Sequence, residues 1–482
     1  MIYTCILGSI SECKIHSEDS TMADLASLIS ICSKRTIVSA YVTPPGKIFL
    51  LSPLDRIMEL HNIRAVYYYR FGGEDEALVL VNKLKESLSM LLSSFPVMTG
   101  RLVRGETGSW WVKLIDTGVR LVEGRVNMTI DEWLTVVNRD AELKLAHWED
   151  MRVDMYFWST FYVQLTVFEG GGLALGFSCS HLLSDAICAA QFVKKWAETH
   201  LKQISIYPPT HLSLTPITGA VSSSFLNDSP CVKHYESAAK AHTEQGRSQG
   251  LRDPIAAHST VTFHFSNEMV QKCIRDAQWG SLNGLQPTPF EALTALFWVA
   301  CSRVKGQETL VDLSLCLNMR STLGLGDEFF GNAMVFTIMD PHNMNIKKEM
   351  KEGELGYLTR ILQEAVNKIG EEEAMHLLRW VESKREGEGG KKQYEPFPVY
   401  GPGLVCANLE ELPLYEVVFG NGLEPVRVSL YVEPVAGEGE ILILPSPEGG
   451  LARNVSVTLP KDQALKLSKE PLIFSFNSMI PI

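Results

Sequence analysis

The chain has 482 residues, 45% of them hydrophobic and 21% charged, with a net charge of −12 at pH 7. That length points to two or three domains rather than one core, and the apolar share excludes a wholly disordered chain. With 44 Lys+Arg against 56 Asp+Glu and no basic stripe, no nucleic-acid partner is expected.

In chain order, residues 1–47 read as a leader, with Met22 as an alternative start to Met1. Met1 to Ser11 include a short apolar run but hold neither a cationic n-region nor a convincing apolar core for export. No run approaches the roughly 18 apolar residues that span a bilayer. A cytoplasmic location is therefore expected, and there the sequons at Asn127, Asn227 and Asn454 carry no meaning. From Leu51 the pattern becomes periodic. Val66 to Tyr69 reads as a strand, and Ala77 to Phe95 as an amphipathic helix with Leu80, Leu84, Leu88 and Leu91 on one face.

Phe161 to Phe168 and Gly172 to Ser180 read as strands, and Ile187, Ala190, Val193 and Ala197 then follow at helical spacing. Ser184-Asp185 sits where a cap and first-turn acid belong, which places His181 in a strand-to-helix turn. Residues 206–257, rich in Pro, Ser, Thr and Gly, read as a crossover. Beyond it come a strand at Val261 to Phe265, a helix at Pro289 to Arg303 and a strand at Val311 to Leu317. Ser383 to Lys392 reads as a solvated loop, and Ile441 to Leu444 and Val455 to Leu459 as strands. The expected organisation is α/β, with an N-terminal domain over 48–205 and a C-terminal domain over 258–482.

The ten cysteines include no C-x-x-C pair, so neither a zinc site nor a disulfide framework is indicated, and no metal is expected. Glycine-rich dinucleotide loops, the P-loop, H-E-x-x-H and a closed nucleophile elbow are all missing. What stands out is His181-Leu182-Leu183-Ser184-Asp185. A histidine at a strand end can enter a cleft, where its ordinary pKa of about 6.5 suits a general base. Asp185 lies one helical step away and is expected to tie down the turn. Alone, the pair is close to what chance gives in a chain with 12 histidines. His147, His211, His234, His258 and His264 read as surface or core residues, Tyr67 to Tyr69 as strand packing, and Lys194-Lys195 as an exposed helix face. Cys179 and Cys188 have no neighbour to make them nucleophilic.

Five further stretches give the pair its weight. They are Leu51-Ser52-Pro53-Leu54-Asp55; Leu84 to Ser89 with Phe95-Pro96 and Gly100-Arg101-Leu102; Phe290-Glu291-Ala292-Leu293 with Trp298; Asn318-Met319-Arg320-Ser321; and Phe329-Phe330-Gly331-Asn332. In this order, around an intact H-x-x-x-D, they resemble the BAHD family of plant acyl-CoA-dependent acyltransferases over about Leu51 to Leu467. The resemblance implies two similar-sized α/β domains with the active site in a channel between them. It implies His181 as base, Asp185 paired with Arg320 as its structural support, and acyl-CoA as co-substrate with no permanently bound cofactor. The partner would be a small alcohol or amine acceptor, and the protein a monomer.

Two departures qualify the match. The family's D-F-G-W-G appears as Val418-Phe419-Gly420-Asn421-Gly422, keeping Phe419, Gly420 and Gly422 as shaping residues without the acid and tryptophan. Near the reaction, a T/S-S-W run is replaced by Ala407-Asn408-Leu409, in which Asn408 alone offers a side-chain amide. With Leu60 to Tyr67 and the Asn408-Leu409-Glu410-Glu411 wording, these resemble the ECERIFERUM/Glossy wax branch. That likeness implies an alternative role as accessory to a fatty-acid elongase condensing enzyme in very-long-chain elongation, peripheral on the cytosolic face of the endoplasmic reticulum.

Overall fold

A computed structural model describes residues 25–41, 46–105, 110–150, 158–202, 229–248, 257–278, 286–306, 309–326, 329–341, 354–386, 398–420 and 422–476. The N-terminal half contains β1 (Ile29–Ile37), β2 (Lys47–Leu50), β3 (Asn62–Arg70), α1 (Glu74–Leu92), β4 (Arg101–Arg104), β5 (Trp110–Leu114) and β6 (Val119–Thr129). It continues with α2 (Ile130–Val136), α3 (Arg139–Leu143), β7 (Trp158–Ser159), β8 (Phe161–Glu169), β9 (Gly172–Ser180) and α4 (Ala186–His200). The C-terminal half contains α5 (Pro230–Ser248), β10 (His258–Phe265), α6 (Asn267–Gln278), α7 (Pro289–Val304), β11 (Leu313–Asn318), β12 (Met334–Met339), α8 (Glu354–Asn367) and α9 (Glu371–Glu386). After these come β13 (Leu404–Asn408), β14 (Arg427–Glu433), β15 (Gly439–Pro445), β16 (Arg453–Pro460), α10 (Lys461–Leu467) and α11 (Pro471–Phe474).

Two mixed six-stranded sheets organise these elements, in the orders β1-β6-β8-β9-β3-β14 and β10-β16-β15-β13-β11-β12, beside a four-stranded sheet β2-β5-β4-β7. β8 and β9 are buried along nearly their whole length, with Gln164, Thr166 and Ser178 as buried polar residues among mostly apolar neighbours. α1 covers the first sheet with the leucine face expected of it, burying Leu80, Leu84, Leu88 and Leu91. In the other half α7 is buried almost all round. A capping box between Thr288 and Glu291 and a proline in its first turn start it cleanly.

Three boundaries differ from the sequence reading. The expected leader is part of the fold from β1, which pairs antiparallel with β6. β1 is mostly exposed, so it lacks the apolar signal that would mark it as a strand. The expected crossover contains the helix α5. Its start belongs to the C-terminal half, because Glu373 of α9 accepts bonds from Ser229 Oγ and Cys231 N–H. Helix α9 also runs through Glu386, where a loop was expected from Ser383. The two halves are not separate sheets, since β14, late in the chain, pairs with β3 and completes the N-terminal sheet. His211 and Asn421 lie outside the described residues. Among the described residues no helix is long and apolar enough to cross a membrane.

Candidate active site

His181 is the first residue past β9, in a turn closed by the Leu183 N–H bond to Ser180 O at 2.9 Å. Its own N–H donates to the His61 carbonyl at 3.0 Å, so the turn is anchored to the start of β3. His181 is 6% exposed. Burial pulls its pKa below the ordinary imidazole value, opposed by the charge of Asp185 and by the bond to Asn332.

Asp185 caps α4 rather than facing the His181 ring. Its Oδ1 accepts from Cys188 N–H at 3.1 Å and from Arg320 Nη2 at 2.9 Å, and Oδ2 accepts from Ala333 N–H at 3.0 Å. Arg320 Nη2 also donates to the Gly331 carbonyl at 3.1 Å. Burial works against the Arg320 charge, but the charge of Asp185 together with the contacts to Asp185 and Cys188 holds the guanidinium above its ordinary value. One carboxylate and one guanidinium thus clamp the helix of one half to the β11–β12 loop of the other.

That loop delivers Asn332. Gly331 adopts φ +149, a conformation that side-chain-bearing residues avoid. The following Asn332 donates its backbone N–H to Asp55 Oδ1 at 2.9 Å. Its Nδ2 donates to Asp55 Oδ1 at 2.9 Å and to the His181 carbonyl at 2.8 Å. With the amide nitrogen so used, Asn332 Oδ1 faces His181 Nδ1 at 3.0 Å. A carbonyl oxygen only accepts, so Nδ1 carries the ring hydrogen and Nε2 keeps its lone pair.

A second histidine sits behind the turn. His61 Nδ1 donates to the Pro434 carbonyl at 2.7 Å, and Nε2 accepts from Tyr400 O–H at 2.9 Å. Burial, then the neighbouring His181, bring its pKa down to about 4, so the ring is neutral with both nitrogens occupied. Cys179 and Cys188 are buried thiols pushed up to about 12, with no nucleophilic character at neutral pH.

The structure brings His181, Asp185 and Arg320 into one cluster, but not the other four expected residues. Asn408 ends β13, where its Oδ1 accepts from Glu410 N–H at 3.3 Å, and among the described residues no hydrogen bond links it to His181. Phe419 packs edge-on against Trp196 at 5.8 Å and Tyr69 at 5.7 Å. Trp196 lies eleven residues beyond Asp185, about 16 Å along α4. There Phe419 and Gly420 border a groove of about 400 Å³ with Phe71, Leu80, Lys83 and His200. Gly422 turns the chain nearby at φ +74. The helix face at Lys194 is also not free, since its ammonium pairs with Glu416.

Sequence reasoning passed over Asn332, Asp55 and His61 as site residues. Two of them were visible as the ends of F-G-N and L-S-x-x-D, but the contact between those motifs spans 277 residues and has no sequence periodicity. His61 carries no local signal.

Comparison with known proteins gives a consistent picture. The sequence model of the Transferase family matches residues 28–472. The chain is 26% identical to Protein ECERIFERUM 26-like of Arabidopsis thaliana, over 86% of this chain and 89% of that protein. It is 27% identical to rosmarinate synthase of Plectranthus scutellarioides, over 90% and 97%. Among solved structures, vinorine synthase superposes with a TM-score of 0.64 at 18% identity, covering 91% of this chain and 96% of that one. F. sporotrichioides TRI101, complexed with coenzyme A and T-2, gives 0.64 at 16% identity, covering 89% and 99%. At such identities the structural likeness establishes the fold.

Proposed function

The chain belongs to the Transferase family, the BAHD acyl-CoA-dependent acyltransferases, and from that premise we propose that it moves an acyl group, other than an amino-acyl group, from coenzyme A to a hydroxyl or amine acceptor with His181 as general base. The contact that carries this reading is Asn332 Oδ1 on His181 Nδ1, which leaves Nε2 as a basic lone pair. Burial keeps the imidazole neutral at pH 7, the form a base requires.

In this mechanism Nε2 takes the acceptor's proton as its oxygen or nitrogen attacks the thioester carbonyl. The tetrahedral oxyanion then collapses, the C–S bond breaks, and the imidazolium returns the proton to the departing CoA thiolate. Asp185 and Arg320 do not touch the reacting atoms. They hold the turn and the Asn332 loop in register, so a shift of either moves the base. Asn408 is the side-chain amide next to Ala407 and Leu409, which offer none, but its hydrogen bond is to Glu410 N–H and it takes no step in this mechanism. Phe419, Gly420 and Gly422 shape the distant α1–α4 seam.

A second reading draws on the loss of the acid and tryptophan at Val418 and Asn421 and on the ECERIFERUM relatives. In it the chain is an accessory factor in very-long-chain fatty acid elongation, bound to an elongase condensing enzyme.

One experiment separates the two. Purified protein and His181→Ala are offered acetyl-, hydroxycinnamoyl- and long-chain acyl-CoA with pooled alcohols and amines, and release of free CoA thiol is followed. Acceptor-dependent release that falls about 10²-fold or more in the variant is the expected result. Silence from the well-folded parent across the panel, with chain-length activity beside an elongase surviving in His181→Ala cells, would leave only the accessory role.

A further inference from the structure

Asp55 lies in a 3-10 turn ahead of β3, fully buried, and the mechanism above does not use it. Its carboxylate faces N–H donors. Oδ2 accepts from Ser52 N–H at 2.6 Å, and Oδ1 accepts from both the backbone N–H and the side-chain Nδ2 of Asn332, each at 2.9 Å. Burial raises the Asp55 pKa, while those bonds from Asn332 and Ser52 counter the rise. A carboxylate placed this way draws the nitrogen end of the Asn332 amide toward itself. The oxygen end then has one direction left, toward His181 Nδ1.

We propose that Asp55 is a positioning residue that acts through Asn332: by holding the amide nitrogen it fixes the amide oxygen on His181 and confines the imidazole to the tautomer with hydrogen on Nδ1 and a lone pair on Nε2. The acid that orders the base is then Asp55, 126 positions before His181, and not the Asp185 of the motif, whose oxygens are occupied by Cys188, Arg320 and Ala333. The His181 carbonyl, which also accepts from Nδ2, supports the same orientation without charge. This inference rests on His181 being the base. Its effect on the ring is nevertheless a property of the folded protein whether or not the chain turns over.

The test uses full-length protein labelled with [¹⁵N]histidine, in which the imidazole nitrogen resonances distinguish protonated from bare nitrogens. The His181 signals are assigned by their loss in His181→Gln. Asp55→Asn keeps the shape but can present an oxygen to only one side, the Ser52 N–H or the Asn332 amide. The wild type is expected to show a single Nδ1–H tautomer and Asp55→Asn a mixture. With a working substrate pair, kcat should drop about 10- to 100-fold while KM stays within about twofold. Asn332→Ala should do the same, and the double variant should be no worse than either single. Should Asp55→Asn fail to fold, Asp55→Ser removes the carboxylate with less demand on the pocket.

A His181 that keeps its single Nδ1–H tautomer without the Asp55 carboxylate would overturn the proposal, as would losses that multiply in the double variant. If the wild type transfers nothing yet loses tautomer purity in Asp55→Asn, the orientation stands and only the base reading falls.

Discussion

At the scale of single residues, the four-residue spacing of His181 and Asp185 separates two tasks. A side chain capping α4 points along the helix, so Asp185 reaches Arg320 and Ala333 N–H while the His181 ring turns to Asn332. Removing either charge of the Asp185–Arg320 pair leaves the other buried, a change that costs about 3–5 kcal/mol where it has been measured in proteins. Arg320→Ala is therefore expected to lower stability by that order and to slow transfer as well, because Arg320 also holds the Gly331 carbonyl beside Asn332. His181→Ala should lose turnover at a smaller cost in stability, about 1–3 kcal/mol, for the Asn332 Oδ1 left unpaired. Thermal unfolding of the two variants side by side checks this, and an Arg320→Ala protein as stable as its parent would refute the clamp. The motif residues were legible in the sequence. Of their partners, Arg320 was already paired with Asp185 by the family resemblance, whereas Asn332 was missed as the partner of His181, because it comes from a loop 151 positions away.

At the scale of elements, the strand that joins the halves is held by a buried polar cluster. Glu142 of α3 is 1% exposed and accepts from Tyr68 O–H at 2.7 Å, from Ser429 Oγ at 2.9 Å and from Tyr431 O–H, with Arg427 beside it at 3.6 Å. Ser429, Tyr431 and Arg427 all lie on β14, and Tyr68 on β3, its neighbour. Four groups from one strand pair thus converge on one carboxylate, which sets the register of a strand arriving from the far end of the chain. Deleting the Tyr431 hydroxyl leaves one of those bonds unmade at a buried acceptor. Tyr431→Phe is expected to cost about 1–3 kcal/mol, read as a lower urea midpoint with unchanged slope. A midpoint within error of the parent would mean that apolar packing alone docks β14. Alternation marked most strands in the sequence, but nothing in residues 427–433 announces which sheet they join.

For the molecule as a whole, burial shifts the titration of several ionisable groups far from their ordinary values. Glu440, on the second strand to pair with β13, has its carboxyl pushed up to about 8 by burial, against one bond from Ala436 N–H at 2.6 Å. Below about pH 4.5 the group is protonated in folded and unfolded chains alike. As pH rises toward 8 the unfolded chain ionises while the folded one keeps its proton, so this group's contribution to stability falls across that window. His61 and His234, held down to about 4 by burial, work the other way. Their contribution is full above about 6.5 and is lost as pH falls toward 4. The parent's stability is therefore expected to rise from pH 4.5 to about 6.5, where two histidine contributions outweigh that of Glu440, and to fall from there toward pH 8, where the histidine contributions are already complete. Glu440→Gln, which removes the ionisation penalty, should gain over the parent as pH rises, by up to about 5 kcal/mol near pH 8. Melting temperatures at pH 5, 6, 7 and 8 measure it, and a constant difference would show that Glu440 ionises freely in the fold.

Taken alone, the sequence determined the α/β class, the family, the turn that carries His181 and most strands and helices, because these follow from periodicity, caps and short motifs within about twenty residues. Only the tertiary structure decided that β1 is part of the first sheet, that β14 crosses to it, and that Asp55, Asn332 and His61 surround the base. It also separated Phe419 and Gly420 from His181. The physical reason is common to all of these. Hydrogen-bond donors and acceptors find partners by position in the folded chain, and a partner more than a hundred residues away leaves no periodic trace in the sequence.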